Sequence, residues 1–428
     1  MLKNMLLAIL LSFALPRMCF ADVGLTQTSG IFVTNVNLGV PGSARDISFT
    51  VQTTTQATGG SVTITASGTE VIRSIRVRTL DRTDGMETTI SLSVRESPPP
   101  NAGNIQWLGS IGKDPTSPST KTDLAIGTVL VTGNAGPMQH DGSAFVASTA
   151  TSIRSLTGNV TADLFIGPKL NIGVDNVVSA GTIRADSGSI LGDVIVNSTV
   201  NGVETPYGSI DGLIAGTESV ANGNIGSAAR PITISARGSL QRVYAREIWA
   251  NVDVTDATNT YGQIWSMQTT AGSLHGTIHA RRIEGGIAPV PGLVIAGDLD
   301  ADILTDDWIS SPITVSRALL ANRTISIDRN VGSNPTNNGA MTFGALAGTV
   351  DLRTGQQQSI TVTGFNRNGV YVDGFTGTIR VGGTFGSGRA MTFGDASHPG
   401  LGGQVIINAA NAGGQWRGTV RTGGSGTG

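Results

Sequence analysis

A short motif returns along most of the chain: a glycine, a small or polar residue, then an aliphatic residue. Many successive copies lie about 20 to 30 residues apart, which is the period of solenoid proteins. We expect the aliphatic residue to point inward and the glycine to form a tight corner with positive φ. The clearest copies are GNVTADL at 158, GTIRADS at 181, GSILGDV at 188, GSIDGLI at 208, GSLQRVY at 238, GQIWSMQ at 262, GSLHGTI at 272, GDLDADI at 297, GTVDLRT at 348 and GTIRVGG at 377.

Two longer echoes support a repeat architecture, AMTFG at 340 and 390, and PITIS at 231 with PITVS at 312. Stacked coils would bury a continuous row of Val, Ile and Leu, which a single coil cannot do alone. The alternative is an ordinary β-sandwich with chance similarities. The sequence therefore favours an all-β parallel β-helix (solenoid) over residues 101–428, with roughly 13 coils and a length of about 60 Å.

Residues 22–97 alternate apolar and polar positions, as in DISFTV at 46–51, SVTIT at 61–65 and TISLSV at 89–94. This alternation is typical of half-buried antiparallel strands. The run SPPPN at 97–101 interrupts it, because proline has no N–H to donate to a strand ladder. We predict a small N-terminal β-strand module at 22–100, either a separate domain or a cap on the solenoid.

The first 21 residues have the parts of a secretory signal peptide. Lys3 precedes an apolar run, and Cys19 and Ala21 occupy the −3 and −1 positions of a cut before Asp22. The run is shorter than the roughly 20 apolar residues of a membrane span. We therefore expect a secreted, cell-surface or periplasmic protein that loses its single cysteine on cleavage near Ala21.

The charge balance of the chain argues against nucleic-acid binding. Its net charge is −2, and only 14% of its residues are charged. A nucleic-acid protein needs a basic stripe that neutralises phosphates. We predict no nucleic-acid partner, and no membrane span after the signal.

One stretch, GDLDADILTDDW at 297–308, is unusually acidic. If the coils at 272 and 297 stack in register, Leu299, Ala301 and Ile303 point inward. Their alternate neighbours then form an outward row of aspartates, beside an outward row from the preceding coil. The aspartates are Asp298, Asp300 and Asp302, and the neighbouring row is His275, Thr277, His279 and Arg281.

Three interpretations of the aspartate row are open. Alternate residues lie about 6.6 Å apart on a strand, near the 6.5–9.5 Å carboxyl spacing of inverting glycosidases, which would make Asp298, Asp300 and Asp302 catalytic candidates. The same three carboxylates could hold Ca²⁺, the only cofactor that the sequence suggests. The plainest interpretation, which we favour, is a solvated face with weak surface ion pairs.

Aromatic residues concentrate between 238 and 309. Sugar-binding surfaces use aromatic faces with charged groups beside them, so this segment is the predicted glycan-binding face. Trp107 and Trp416 lie outside it, and we expect each to cover a coil corner. The candidate glycan-binding residues are Tyr244, Trp249, Trp265, His275, His279 and Trp308.

With these coil motifs, residues 101–428 resemble the secreted bacterial right-handed parallel β-helix proteins of the broad pectin-lyase-like group. The resemblance implies either cleavage of acidic polysaccharides or a non-catalytic role, as in adhesins, phage tail spikes and surface-layer proteins. In the lyases of this group, Ca²⁺ acidifies a uronate and an Arg or Lys takes the proton, a role for which Arg281 is the candidate. The polygalacturonase motif order is absent: Asp306–Asp307 follows His275–Gly276, and G-H-G is missing.

The missing catalytic motifs favour an exported, non-catalytic solenoid that acts as an extracellular or cell-surface binding or structural protein. Its partner would be a polysaccharide, a surface glycan or another surface protein. The alternative is a polysaccharide lyase or glycoside hydrolase that acts on acidic polysaccharide at the 238–309 face. A third hypothesis is self-assembly through the coil ends.

Overall fold

The structure is a computed structural model that describes most of the chain from Asp22 onward. The predicted signal peptide with Cys19 and Ala21, the run at 97–101 and Trp416 lie outside the described residues. The described ranges are 22–54, 59–96, 103–170, 178–197, 199–200, 203–204, 208–217, 219–255, 262–285, 292–328, 340–353, 359–367, 370–372, 374–382, 390–393, 404–407 and 419–422.

Every regular element in these ranges is a β-strand, and none is a helix. In residues 22–96 the strands are β1 (Asp22–Gln27), β2 (Ile31–Asn37), β3 (Arg45–Thr53), β4 (Gly59–Thr79) and β5 (Thr88–Glu96). In residues 103–254 they are β6 (Gly103–Lys113), β7 (Thr122–Val131), β8 (Asn134–Ala135), β9 (Ala144–Ala147), β10 (Ala150–Ser155), β11 (Asp163–Ile166), β12 (Ser179–Ala185), β13 (Val194–Val196), β14 (Thr199–Val200), β15 (Val203–Glu204), β16 (Ser209–Ala215), β17 (Ile232–Ala236), β18 (Ser239–Ala245) and β19 (Ile248–Val254).

The remaining strands continue to residue 422, and no helix that could cross a membrane occurs among the described residues. They are β20 (Gln263–Thr269), β21 (Leu274–Ala280), β22 (Arg282–Ile283), β23 (Leu293–Ile295), β24 (Leu299–Thr305), β25 (Ile313–Leu319), β26 (Thr324–Ile327), β27 (Met341–Leu346), β28 (Thr349–Leu352), β29 (Ile360–Val362), β30 (Phe365–Arg367), β31 (Val370–Val372), β32 (Thr378–Val381), β33 (Ala390–Phe393), β34 (Gln404–Ile407) and β35 (Thr419–Thr422).

Most of these strands stack in parallel, coil upon coil, as the repeat predicts. We name two long ladders. The first ladder is β5, β7, β10, β12, β16, β18, β20, β23, β25, β27, β29, β33 and β35. The second ladder is β3, β4, β6, β9, β11, β13, β17, β19, β21, β24, β26, β28, β32 and β34. The fold is a parallel β-helix, and the all-β solenoid prediction is confirmed.

The core is a set of rows in which one buried aliphatic or aromatic side chain per coil stands on the next. Fully burying such a side chain contributes about 1.5–3 kcal/mol, so a long row is a large share of the stabilisation. The longest row on the second ladder is Ile47, Ile75, Ile111, Phe145, Leu164, Val194, Ile234, Val252, Ile278, Ile303, Ile325, Val350 and Ile379.

This row crosses residue 100, so the strands of 22–96 share the sheet system of the rest of the chain. The expectation that they are antiparallel is wrong for two of the four pairs within this segment: β3 and β5 both pair in parallel with β4. Only β1 with β4 and β2 with β3 are antiparallel among the described pairs of this segment. Alternation of apolar and polar residues indicates that one face of a strand is buried. A strand in a solenoid wall also has one buried face, and this holds for parallel and antiparallel strands alike.

The aliphatic residue of the repeated motif is buried in each copy, as predicted; Val160, Ile190 and Leu299 are examples. The expected reason for the glycine is wrong. Among the motif glycines, all of which lie in described ranges, only Gly262 has a positive φ. Most of the others stand against backbone of the preceding coil: a Cβ on Gly188 would lie 2.1 Å from the carbonyl oxygen of Gly158. At most motif glycines a side chain is therefore excluded by the close approach of the neighbouring coil, and not by a positive φ.

Candidate functional site

The predicted register between the coils at 272 and 297 is confirmed. His275 on β21 lies beside Asp300 on β24, and Thr277 lies beside Asp302. Leu299, Ala301 and Ile303 are buried, and the aspartates between them face outward. The aspartate row is therefore an outer face of the second ladder, between β21 and β26.

Asp300 is held from both sides. Its Oδ2 lies 3.0 Å from Nδ1 of His275 in the preceding coil, and its Oδ1 accepts a hydrogen bond from Nε of Arg323 in the next coil (2.7 Å). Burial alone would raise the pKa of this carboxyl, but the hydrogen bonds from His275 and Arg323 and their charges leave it below its usual value. A glycosidase general acid needs a raised pKa, so Asp300 is poorly suited to that role.

The other two aspartates of the row also tie coils together. Oδ1 of Asp298 accepts the backbone N–H of Ala318 (3.1 Å), and Oδ1 of Asp302 accepts that of Thr324 (2.7 Å). Arg323 also reaches Asp302, with 3.5 Å between Nη1 and Oδ2. In the part of the chain that the structure describes, no group of three or more His, Cys, Asp or Glu side chains could hold a metal ion. The geometry thus gives the Ca²⁺ hypothesis no support.

His279 and Arg281 engage the acidic pair that follows β24. Nε2 of His279 lies 3.2 Å from Oδ1 of Asp306. Nε of Arg281 lies 2.5 Å from Oδ2 of the buried Asp307, an ion pair without the alignment of a hydrogen bond. A base that attacks a substrate must approach its proton directly, whereas Arg281 is directed at a carboxylate of its own chain.

The candidate aromatic residues do not form one platform. Trp249 on β19 stacks on His275, with 3.4 Å between ring centroids, while Nε2 of that histidine lies 3.2 Å from Glu247. Trp265 belongs to the first ladder and not to the ladder of Trp249. Tyr244 is only 8% exposed. A continuous sugar-binding face across 238–309 is therefore not assembled from these rings.

Trp308 pairs with a cation instead: the guanidinium carbon of Arg282 lies 5.3 Å from its ring centroid. Trp107, for which we predicted a covering role, lines a cavity of about 720 Å³ together with Asn134, Met138 and Thr157. Its indole Nε1 is buried with no hydrogen-bond partner in the described residues. An aromatic ring beside open space and nearby polar groups are components of a sugar site.

A second group of cross-coil ties, missed from the sequence, surrounds Asp163. Its Oδ1 lies 2.9 Å from Nε2 of His140 and accepts the backbone N–H of Asp193 (2.8 Å). Asp193 in turn accepts the backbone N–H of Thr233 (2.7 Å), and Arg230 lies against both carboxylates. Asp163 and Asp193 are the sixth residues of the motif copies GNVTADL and GSILGDV. This shared position is the sequence signal from which the contact could have been predicted.

The structure also contains a cavity of about 440 Å³ beside β6, β7 and β9 that no motif predicted. Lys113, Asp123 and Lys169 line it. Burial raises the pKa of Asp123 to about 6 and lowers that of Lys113. No sequence signal links these residues, because they meet only through the stacking of coils.

Comparison of the chain with protein-family models, with curated proteins and with solved structures finds no match.

Proposed function

We propose that this protein is an exported, non-catalytic β-solenoid that acts at the cell surface or outside the cell as a binding or structural protein, with a glycan as its candidate partner. The observation that carries the proposal is the engagement of Asp298, Asp300 and Asp302. Each accepts a hydrogen bond from the next coil. Carboxylates committed in this way join coils and are poorly placed to carry out acid–base chemistry.

Glycan recognition is the finer part of the proposal, and the cavity at Trp107 favours it over the 238–309 face. There the ring of Trp107 borders open space, whereas Trp249 is stacked on His275. An alternative role as a polysaccharide lyase or hydrolase would need at least one carboxylate or cation of the 298–307 segment to act on a substrate.

The test is to incubate residues 22–428 with a panel of acidic and neutral polysaccharides, with and without Ca²⁺. Both binding and new chain ends are followed for the wild type and for Trp107→Ala, Trp249→Ala and Asp300→Asn. We expect binding without cleavage, lost in Trp107→Ala and kept in Trp249→Ala. Cleavage that disappears in Asp300→Asn would establish an enzyme and overturn the proposal. Binding to none of the polysaccharides would remove the glycan part and leave a structural role.

Export has its own test. When the full chain is expressed in a bacterium with a Sec pathway, the protein recovered outside the cytoplasm should begin at Asp22 by N-terminal sequencing. A chain that stays in the cytoplasm with residues 1–21 attached would contradict export.

A further inference from the structure

The 440 Å³ cavity at Asp123 differs from the charged rows of the outer faces, because its charged groups line a pocket that is open to solvent on one side. Cavities of about 300–1,000 Å³ are the size of small-molecule sites. Apolar side chains, among them Leu124, Val146 and Leu170, form part of its lining. A ligand in this cavity would meet an apolar surface and a few charged groups, as is usual for small-molecule sites.

Asp123 is the buried acid of the cavity. The backbone N–H of Leu170 donates to its Oδ2 (3.0 Å). Burial is the main cause that raises the pKa of Asp123 to about 6, and Glu87 adds to the rise, whereas Leu170, Lys113 and Lys169 oppose it. The carboxyl therefore changes from neutral to charged within a unit or so of neutral pH.

Lys113 supplies a positive charge with a donor to spare. Its Nζ donates to the carbonyl oxygens of Ser119 (2.9 Å) and Thr122 (3.1 Å). An ammonium group has three N–H donors, so a third can be directed at a ligand. Lys169, on the chain segment that supplies Leu170, adds a second cation to the lining.

We propose that this cavity binds a small carboxylate ligand, whose anionic group is held by Lys113 and Lys169 and whose apolar body packs on Leu124 and Val146. In its neutral form, Asp123 donates its O–H to the ligand carboxylate. In its ionised form it repels the ligand and neutralises one of the two lysines. Binding is therefore linked to the uptake of one proton by Asp123.

The probe is benzoate, a carboxylate with an apolar body, titrated into the full chain by calorimetry at pH 5 and pH 7, with benzyl alcohol as the neutral control. An acid with a pKa of about 6 is mostly protonated at pH 5 and mostly ionised at pH 7. We expect benzoate to bind about tenfold more weakly at pH 7 than at pH 5. Benzyl alcohol should not bind measurably.

Three variants separate the parts of the site. Asp123→Asn should bind benzoate with the same affinity at both pH values, because its amide does not titrate. Lys169→Met should weaken binding at both, and Asp300→Asn, far along the chain, should behave as the wild type. Thermal melting confirms that each variant is folded. The proposal is overturned by a wild type that binds no benzoate, by equal wild-type affinity at the two pH values, or by pH dependence that survives in Asp123→Asn.

Discussion

Gly223 shows why glycines repeat along this chain. A Cβ on Gly223 would lie 1.8 Å from the carbonyl oxygen of Gly188, and a Cβ on Gly188 would lie 2.1 Å from that of Gly158. Each glycine of this series thus lets the next coil approach at the spacing that the parallel ladders require. Such a position has no rotamer that relieves the contact, because the obstacle is backbone.

We predict that Gly223→Ala lowers the free energy of unfolding by about 2–4 kcal/mol, since the coils must shift apart. Gly212→Ala is the matched control: its Cβ would meet Thr182 at 3.6 Å, an ordinary contact, and its φ is not positive. The control should change stability by less than about 0.5 kcal/mol. Guanidinium denaturation measures both, and equal effects would contradict the close-approach explanation.

Because the pKa of Asp123 is raised, the stability of the folded protein depends on pH, and the direction of that dependence can be predicted. The pKa is about 6 in the folded chain and 3.8 as the ordinary value, so the folded state binds more protons than the unfolded state between these values. The wild type should therefore lose stability as pH rises from about 4 to 6, by up to about 3 kcal/mol.

Asp123→Asn should lack this loss, and its melting temperature relative to the wild type should rise across the same window. Comparison with the wild type cancels the other carboxyls, such as Asp46, whose pKa is lowered to about 2 chiefly by its hydrogen bond with Arg73. A melting-temperature difference between variant and wild type that is constant from pH 4 to 7 would refute the assignment.

At the scale of elements, the first coils depend on a buried ion pair between β3 and β4. Nε and Nη2 of Arg45 donate to the two carboxylate oxygens of Glu70 at 2.6 and 2.9 Å, and both side chains are 2% exposed. Arg45 also donates to the carbonyl oxygen of Leu38, which follows β2. The ion pair thus joins the segment between β2 and β3 to the parallel strands of the second ladder.

Arg45→Met should destabilise the protein by about 3–5 kcal/mol, because it leaves Glu70 as an unpaired buried charge. The double variant Arg45→Met/Glu70→Leu should recover most of that loss. Arg73→Met is the control, since the Arg73–Asp46 pair is 60% and 50% exposed, and an ion pair screened by solvent in this way contributes little to stability. Chemical denaturation measures the free energy of unfolding of each variant. Equal losses of stability in Arg45→Met and Arg73→Met would contradict the role of burial.

At the scale of the whole molecule, periodicity was sufficient to predict the coils. It placed Leu299 inside and Asp300 beside His275 because stacked coils repeat one register. AMTFG recurs at an offset of 50 because Met341 and Met391 lie two coils apart on the first ladder, with Ile360 between them.

The rest depends on which side chains meet across coils, and sequence spacing does not determine that. His140 and Arg230, with 2.8 Å between Nε2 and Nη2, are 90 residues apart. The cavity at Asp123 likewise combines residues from β6, β7 and the segment before Leu170. Strand direction near the N-terminus was mispredicted for two of the four pairs for a related reason: alternation indicates burial and carries no information about the partner strand.

The central claim is that the aspartate row joins coils and does not catalyse. Its most direct test is the free energy of unfolding of Asp300→Asn, with Asp211→Asn, an exposed aspartate bonded to neutral Gln241, as control. We predict that Asp300→Asn is less stable than the wild type by about 1–2 kcal/mol, and that the control is within about 0.5 kcal/mol. Replacement of a strained catalytic residue often stabilises a protein, so an Asp300→Asn variant as stable as the wild type, or more so, would contradict the claim.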